Sequence, residues 1–424
     1  MTKIVIVGGG SAMWTRAVVS DIVSFPALHD SELVLLDIDE QRLHYAEKLA
    51  RKVIHQTGIG LKLSTTLDRK KSLVNADFVI IGISVGGNDE WVQDIEIPWK
   101  EFNIFQTVGD TIGPGGIFRS LRHIPAVMDI ARDIAAICPN AFVIQLTNPM
   151  TPICRAIEKT MKLNMIGYCH GVWDTENMIA EELGFSVEDV KLYAYGINHF
   201  LFIKSLLVRG EEGLALLKKH ADFKDNHPAL YEMWNTFGQF VINKDRHPVE
   251  FVPFYLNPRT QYGKDYKLNQ DMTYWHINMS RNLIHDIEQT LQSTEPLDTS
   301  KSTEYIVDIM NAIKTNQDFV VHVNIRNNGA IANLPMDCNV EVPALINRRG
   351  VHPFVMGELS HGVSSLVRRI VEEQELIVEA ALTGSRELAV QALALDPLVH
   401  DIRVANRLFD AMYKAQKQYL PQFA

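Results

Sequence analysis

The stretch "KIVIVGGGS", residues 3–11, decides the fold class because an apolar strand runs directly into three glycines and a helical stretch begins at about Thr15. Glycine allows torsions and close approaches that a Cβ would block, so backbone N–H groups and a helix N-terminus can meet a pyrophosphate here. Gly8 and Gly10 fill the first two places of the fingerprint G-x-G-x-x-G, and Met13 stands at the third. The pattern favours a dinucleotide-binding βαβ unit; the alternative is a tight strand-to-helix turn without a ligand.

The second predicted strand, "ELVLLDID" at 32–39, ends in acidic residues. Asp37 stands where a carboxylate accepts hydrogen bonds from the adenosine ribose and repels a 2′-phosphate, which favours NAD over NADP. Gly8, Gly10, Ser11 and Asp37 are therefore the predicted cofactor contacts.

Strands and helices alternate through the first half of the chain. Six strands with crossover helices predict an α/β fold, a Rossmann-like doubly wound sheet resembling that of lactate and malate dehydrogenases, in residues 1–199. Residues 200–424 are predicted to form a mixed α+β, mostly helical second domain for the substrate and for oligomerisation. The later predicted strands are "ADFVIIGIS" (76–84), "AFVIQLTNP" (141–149), "NMIGYC" (164–169) and "VKLYAYGINH" (190–199).

The composition narrows the class of partner. A formal charge of -10 argues against nucleic acid or an anionic membrane surface, since either favours a basic patch, and leaves a small molecule. Four cysteines in 424 residues are too few for a disulfide framework, which favours a reducing compartment. Without a signal-peptide pattern or an apolar run of about 18 residues, the sequence predicts a cytoplasmic protein.

Cys169 in "GYCHGV" (167–172) and His199 in "GINHF" (196–200) each follow a predicted strand. Both are expected at the carboxyl edge of the sheet, where ligands bind in such folds. A thiolate and an imidazole can bind a divalent ion, and two protein ligands leave positions open for substrate oxygens. The alternatives are a Cys–His nucleophilic pair, or a buried thiol and a core histidine without chemistry.

Six motifs, in this order along the chain, resemble glycoside hydrolase family 4, the NAD- and manganese-dependent glycosidases. Within that family the residues after the metal cysteine track the substrate, and the Cys-His-Gly form resembles the branch that acts on α-linked uronic acids, the α-galacturonidases and α-glucuronidases. The alternative within the family is α-galactosidase or α-glucosidase activity. The motifs are "GGGS" (8–11), "GDTIGPGGIFRSLR" (109–122), "TNP" (147–149), "CHG" (169–171), "GINH" (196–199) and "NLPMDCNVEVP" (333–343).

The resemblance implies hydrolysis by a redox route in which NAD takes a hydride from C3 of the sugar and so makes the C2–H acidic. A metal held at the C2 and C3 oxygens stabilises the enediolate, a base removes the C2 proton, the glycosidic oxygen leaves C1, water adds and the hydride returns. Softness of the ligands would favour zinc, whereas the resemblance implies Mn²⁺ with other divalent ions as alternatives. It also implies a homodimer or homotetramer.

The resemblance further implies roles for single residues. Cys169 and His199 match the metal ligands, Asn148 matches the asparagine that addresses the sugar hydroxyls, and Asp110 lies near the reaction centre. His170 stands where phospho-α-glucosidases carry an acid toward the leaving group, and an imidazole can serve there.

The base that removes the C2 proton is a tyrosine in the phospho-sugar branch, and "EFVPFYLNPRTQYG" (250–263) resembles the corresponding stretch. Tyr255 is the first candidate and Tyr262 the second; the alternative for both is a packing role.

A uronate carboxylate calls for a guanidinium that grips two oxygens. Arg119, Arg259 and Arg326 are the candidates, and surface or structural arginines are the alternative.

Two classes of protein remain as alternatives to a glycosidase. An NAD-dependent 2-hydroxy acid dehydrogenase shares the fold and cofactor but releases NADH with each turnover. An NAD-sensing protein has no need for Cys169, His199 and Asn148 on neighbouring strand ends.

Overall fold

The first half of the chain alternates strands with helices. The computed structural model describes residues 1–424, apart from the side chain of Met13. The first strands are β1 (Lys3–Val7), β2 (Glu32–Leu36), β3 (Lys62–Thr66), β4 (Phe78–Ile81), β5 (Phe142–Gln145) and β6 (Asn164–Gly167). The helices between and after them are α1 (Ala12–Val23), α2 (Glu40–Thr57), α3 (Arg69–Leu73), α4 (Gly87–Phe102), α5 (Gly113–Ile137), α6 (Met150–Thr160) and α7 (Gly171–Leu183).

These six strands pair in parallel in the order β3-β2-β1-β4-β5-β6, the strand order of a dinucleotide-binding sheet. The predicted Rossmann-like fold is confirmed, with one strand exchanged. Strand β3 was not predicted, because "KLSTT" is polar and only half-buried and lacks the apolar run of a central strand. The predicted sixth strand, residues 190–199, belongs to a different part of the sheet.

The second half of the chain combines a mixed set of strands with most of the helices. The remaining strands are β7 (Val190–Ile197), β8 (Phe200–Val208), β9 (Glu211–Glu212), β10 (Phe319–Arg326), β11 (Asn339–Asn347) and β12 (Gly350–Pro353). Its helices are α8 (Gly213–Lys219), α9 (Phe223–Asn226), α10 (Pro228–Phe237), α11 (Asp271–Gln292), α12 (Ile306–Thr315), α13 (His361–Thr383), α14 (Arg386–Leu395) and α15 (Ile402–Gln416). Short 3-10 segments occur at Pro26–Leu28, Val187–Asp189, Pro248–Phe251, Pro258–Tyr266, Lys417–Tyr419 and Pro421–Phe423.

One continuous sheet contains strands of both halves, because β10 and β11 lie between β6 and β7. Gly167 pairs with Asn324, Asn324 with Glu341, and Glu341 with Gly196, so four residues form one row across four strands. Each of these pairings is antiparallel, and β7 therefore runs opposite to β6. This row brings the ends of β6 and β7 together. The prediction that they meet because parallel strands share a carboxyl edge was wrong. The division at residues 199 and 200 stays a prediction.

Helices from the second half cover the sheet and complete its core. Helix α13 packs against α5, α6 and α14, and one apolar cluster includes buried residues of β7, β8, β11 and these helices. In the described part of the chain, every helix is too short or too polar to cross a bilayer.

Candidate functional site

The glycine turn after β1 is shaped by contact with the end of β4. Gly8 has φ +96°, and a Cβ built on it would lie 2.1 Å from the carbonyl oxygen of Gly82. The backbone N–H groups of Gly8 and Gly9 both donate to the Leu36 carbonyl at 2.9 Å, which closes the turn against β2. Only glycine fits at position 8, so this turn brings the N-terminus of α1 to the strand ends as a pyrophosphate site requires.

Asp37 braces the same turn. One carboxylate oxygen, Oδ2, accepts the Gly10 N–H at 2.7 Å, and the other accepts the N–H groups of Ile38 and Asp39. Ser11 precedes α1 as its N-cap, and its hydroxyl makes no capping hydrogen bond. The structure thus places Gly8, Gly10 and Ser11 in one strand-to-helix turn, and Asp37 contacts this turn from the end of β2.

Cys169 and His199 meet, with the thiol sulfur 3.5 Å from Nε2 of the imidazole. The other ring nitrogen, Nδ1, lies 2.8 Å from the Thr111 hydroxyl, which itself donates to Asp110 Oδ1 at 2.7 Å. The hydroxyl has one proton and gives it to the carboxylate, so this network assigns the proton of His199 to Nδ1. Nε2 then presents a lone pair toward Cys169, the tautomer that a metal ligand needs.

A third ligand is available beside this pair. The ring of His247 lies 4.4 Å from that of His199, and ligand atoms of Asp110, His199 and His247 lie within 4.8 Å of one another. The predicted pair was Cys169 with His199, whereas this grouping omits the cysteine. The two groupings share His199, whose Nε2 lone pair points at the Cys169 sulfur.

The charge states in this cluster suit a cation. Burial alone would raise the pKa of Asp110, but His199, His247 and Arg119, with the Thr111 hydrogen bond, hold it at about 2. Burial lowers the pKa of both imidazoles, His247 more strongly. The carboxylate is therefore anionic and both imidazoles are neutral near pH 7.

Asn148 carries an unused acceptor into the site. Its Nδ2 donates to Asp110 Oδ2 at 3.3 Å, while its buried Oδ1 has no partner among the described residues. Arg119 Nε donates to the Asn148 carbonyl at 3.4 Å, and its guanidinium lies 5.2 Å from the centre of the Trp91 ring. An orphaned buried acceptor next to an ordered carboxylate is suited to a ligand hydroxyl.

His170 lies at the mouth of the site, where its side chain is 42% exposed. Its ring nitrogens lie 3.2 Å from the Asp174 carboxylate and 3.3 Å from that of Glu304. Burial would lower the pKa of His170, but the hydrogen bond to Asp174 and the charge of Glu304 outweigh burial and raise it. The imidazole is therefore suited to carry a proton near neutral pH.

Tyr255, predicted as the base, lies in the hydrophobic core and is 3% exposed. Its hydroxyl donates to the Ala229 carbonyl at 3.3 Å, its ring packs edge-on against Tyr266 at 4.8 Å, and burial raises its pKa. This environment contradicts a role as base. The sequence did not separate a packing tyrosine from a catalytic base, because both occur as an aromatic residue in a loop.

Tyr262 and the other two candidate arginines also lie apart from the cluster. The ring of Tyr262 packs edge-on against Trp99 at 4.8 Å. Arg259 and Arg326 are exposed, and their side chains make no ion pair with the described residues. Of the three predicted arginines, only Arg119 reaches Asp110 and Asn148.

Glu250 is a site residue that sequence analysis missed. Its Oε1 accepts the N–H groups of Val108 at 2.8 Å and Gly109 at 3.0 Å and lies 3.1 Å from the Thr107 hydroxyl oxygen. Burial raises its pKa to about 8 against the effect of these hydrogen bonds. Glu250 holds the loop that carries Asp110, and the only signal in the sequence was an acid three residues after His247.

Residues 3–185 match the family 4 glycosyl hydrolases, and residues 194–399 match the C-terminal domain of that family. The chain belongs to glycosyl hydrolase family 4. Among family 4 relatives, it is 30% identical over 437 residues to an α-galactosidase from Bacillus subtilis, with 100% of each chain covered. It is 31% identical over 443 residues to an α-galacturonidase from the same organism, with 98% of each chain covered.

Solved structures agree with the family assignment. A Bacillus subtilis protein provisionally described as a glucosidase superposes with a TM-score of 0.88 at 30% identity, over 97% of this chain and 99% of that one. A 6-phospho-α-glucosidase from gut microorganisms, solved in complex with NAD and Mn²⁺, shares the fold, with a TM-score of 0.84 at 21% identity and 100% of both chains covered.

Proposed function

We propose that this family 4 enzyme hydrolyses α-linked uronic acid glycosides, α-galacturonides or α-glucuronides, with NAD and Mn²⁺ as cofactors. The observation that carries the proposal is the contact of 3.5 Å between the Cys169 sulfur and His199 Nε2, at the edge of a sheet whose first turn fits a dinucleotide. The proposal is supported by one α-galacturonidase relative, one α-galactosidase relative and a fold neighbour solved with NAD and Mn²⁺.

The residues present fit both groups. Cys169 and His199 offer a sulfur and an imidazole nitrogen, which leaves places for the harder oxygen ligands that Mn²⁺ prefers. Asn148, which donates to Asp110, also has a buried Oδ1 without a partner. The cradle around Gly8 suits a pyrophosphate. Strand β6 stands three strands from β1, about 14 Å away at ~4.8 Å per step, a span that an extended dinucleotide bridges.

When bound, NAD and the divalent ion supply hydride acceptance and Lewis acidity at neighbouring carbons of the sugar. The residues of the chain itself bind and orient the sugar and protonate the glycosidic oxygen. Asn148 orients a sugar hydroxyl through its free acceptor, held in place by Asp110 and Arg119. His170, protonated between Asp174 and Glu304, gives its proton to the glycosidic oxygen as that oxygen leaves.

A substrate panel tests the proposal. The p-nitrophenyl α-glycosides of galacturonate, glucuronate, galactose and glucose, with 6-phosphoglycosides, are assayed with NAD, Mn²⁺ and a thiol, each omitted in turn. We expect uronide cleavage that needs all three additives, with NADH absorbance at 340 nm remaining flat. Stoichiometric NADH from a 2-hydroxy acid would instead establish a dehydrogenase.

An α-galactosidase is the second candidate, favoured by the full-length likeness to the Bacillus subtilis α-galactosidase. The same panel separates the two, because this enzyme would cleave the galactoside and leave both uronides intact.

A further inference from the structure

Arg246 lies beside the cluster that holds the proposed metal. It directly precedes His247, whose ring is 4.4 Å from the ring of His199. Its backbone carbonyl accepts a hydrogen bond from the Thr107 hydroxyl, in the loop that carries Asp110. The peptide bond to His247 and the hydrogen bond from Thr107 therefore hold the Arg246 backbone close to His199 and Asp110.

The guanidinium of Arg246 is unpaired. Its side chain makes no hydrogen bond and no ion pair with the described residues, and its buried Nη1 atom has no partner. Arg246 is half-buried, and a buried donor such as Nη1 costs free energy while it has no acceptor. In the same protein, the buried guanidinium of Arg122 forms two parallel hydrogen bonds with Asp94, at 2.8 and 2.7 Å.

Arg119, the other guanidinium near Asp110, already has partners within the chain. Arg119 Nε donates to the Asn148 carbonyl, and its guanidinium stacks over Trp91. Three carboxyl groups act on Arg246, and each is engaged elsewhere. Asp110 accepts from Thr111 and Asn148, Asp174 pairs with His170, and Glu250 accepts from the 108–109 backbone. A planar fork that presents donors without acceptors is complementary to a ligand carboxylate.

We propose that Arg246 binds the C6 carboxylate of the sugar and selects uronides over neutral hexosides. The inference rests on the proposed function and replaces Arg259 and Arg326 as candidates for this contact. It was not visible in the sequence, because nothing in "KDRHPVEF" (244–251) separates this arginine from a surface one.

The test compares kcat/KM for p-nitrophenyl α-galacturonide and α-galactoside in the wild type, Arg246→Gln and Arg246→Lys. Arg132→Gln, on the exposed face of α5, is the matched control. We expect Arg246→Gln to lose about 10- to 100-fold on the uronide and less than about 3-fold on the galactoside, the loss of one charge-assisted pair. Arg246→Lys should recover part of the uronide activity, and Arg132→Gln should match the wild type.

Equal losses on both glycosides, or no loss on either, would overturn the role of Arg246. Calorimetric titration of the holoenzyme with free galacturonate and free galactose decides the point without turnover and shows whether Arg246→Gln is folded. A wild type that cleaves no uronide refutes the proposed function alone. The role of Arg246 then stands or falls on whether Arg246→Gln abolishes a preference for galacturonate in that titration.

Discussion

Burial and the neighbouring Glu341 both raise the pKa of Cys169, so its sulfur is a thiol near pH 7. Burial lowers the pKa of His199 and leaves its imidazole neutral. If the two residues bind a metal as we propose, one proton must leave the Cys169 sulfur. The pH dependence of metal affinity then resides in that one atom.

The affinity for Mn²⁺ should rise about tenfold for each pH unit between pH 6.5 and 8.5, since one proton leaves Cys169 on binding. Cys169→Ala should weaken binding by more than the ~10- to 100-fold that loss of an outer partner costs. Electron paramagnetic resonance of free Mn²⁺ measures both, with Cys138→Ala as the control at a thiol outside the site. A pH-independent affinity would count against thiolate ligation.

His170 should matter most for poor leaving groups. We expect His170→Asn to lower kcat by about 10²- to 10⁴-fold on an alkyl α-uronide and much less on the p-nitrophenyl analogue, whose phenolate leaves without a proton. In the wild type, the raised pKa of His170 keeps the acid present above its usual range, so kcat falls only as pH rises through that raised value. Exposed His55→Asn is the control. Equal effects on both substrates would exclude His170 as the acid.

Two connections between secondary-structure elements position the site residues: the glycine turn after β1 and the loop 107–111 before α5. The first is fixed by the contact between Gly8 and Gly82, and the second by Glu250. Contacts within the chain thus hold both connections.

Gly8→Ala should lower NAD affinity at least tenfold, because the new Cβ would lie 2.1 Å from a carbonyl oxygen in addition to the strain of a positive φ. Gly58→Ala is the matched control: its φ is +68° and no atom lies within 4 Å. Fluorescence titration with NAD measures both. Similar affinities in the two variants would show that the turn does not hold the cofactor.

Glu250→Ala should lower kcat by about 10-fold or more, because two buried N–H groups lose their acceptor and the loop with Asp110 is released, at about 1–3 kcal/mol. Glu250→Gln keeps an acceptor oxygen and should retain most activity. Steady-state kinetics with thermal melting checks this, and a Gln variant as impaired as the Ala variant would indicate that the charge itself is required.

Much of the fold and half of the site could be predicted from the sequence. Apolar runs bounded by turn residues identified β1, β2, β4, β5 and β6, and the pairing of Cys169 with His199 followed from motifs. The polar β3 was missed because "KLSTT" shows neither an apolar run nor an alternation of apolar and polar residues. The apolar β8 was missed because periodicity does not separate a short apolar strand from a helix. His247, Arg246 and Glu250 come from a loop far along the chain, and only the tertiary fold brings them to His199.

The two halves of the chain contribute strands to one sheet. Residues 1–199 alone would leave β7 without β8 and β11, and would leave α5 and α6 without α13. We expect a fragment of residues 1–199 to lack a cooperative thermal transition and to bind no NAD, whereas the full chain shows both. Circular dichroism melting and NAD titration measure this; a fragment that melts cooperatively would establish an independent domain.

The row Gly167–Asn324–Glu341–Gly196 restricts where the chain can change in length. One residue added inside β10 or β11 would turn every following side chain to the opposite face and move the sulfur and the imidazole apart. The 327–338 connection is equally constrained, because Asn327, Ile331 and Leu334 are buried and the Asn327 side chain donates to the carbonyls of Ile331 and Leu334. The exposed turn at 348–349, after β11, is where we expect an insertion to be accepted, because it leaves the lengths of β10 and β11 between Cys169 and His199 unchanged.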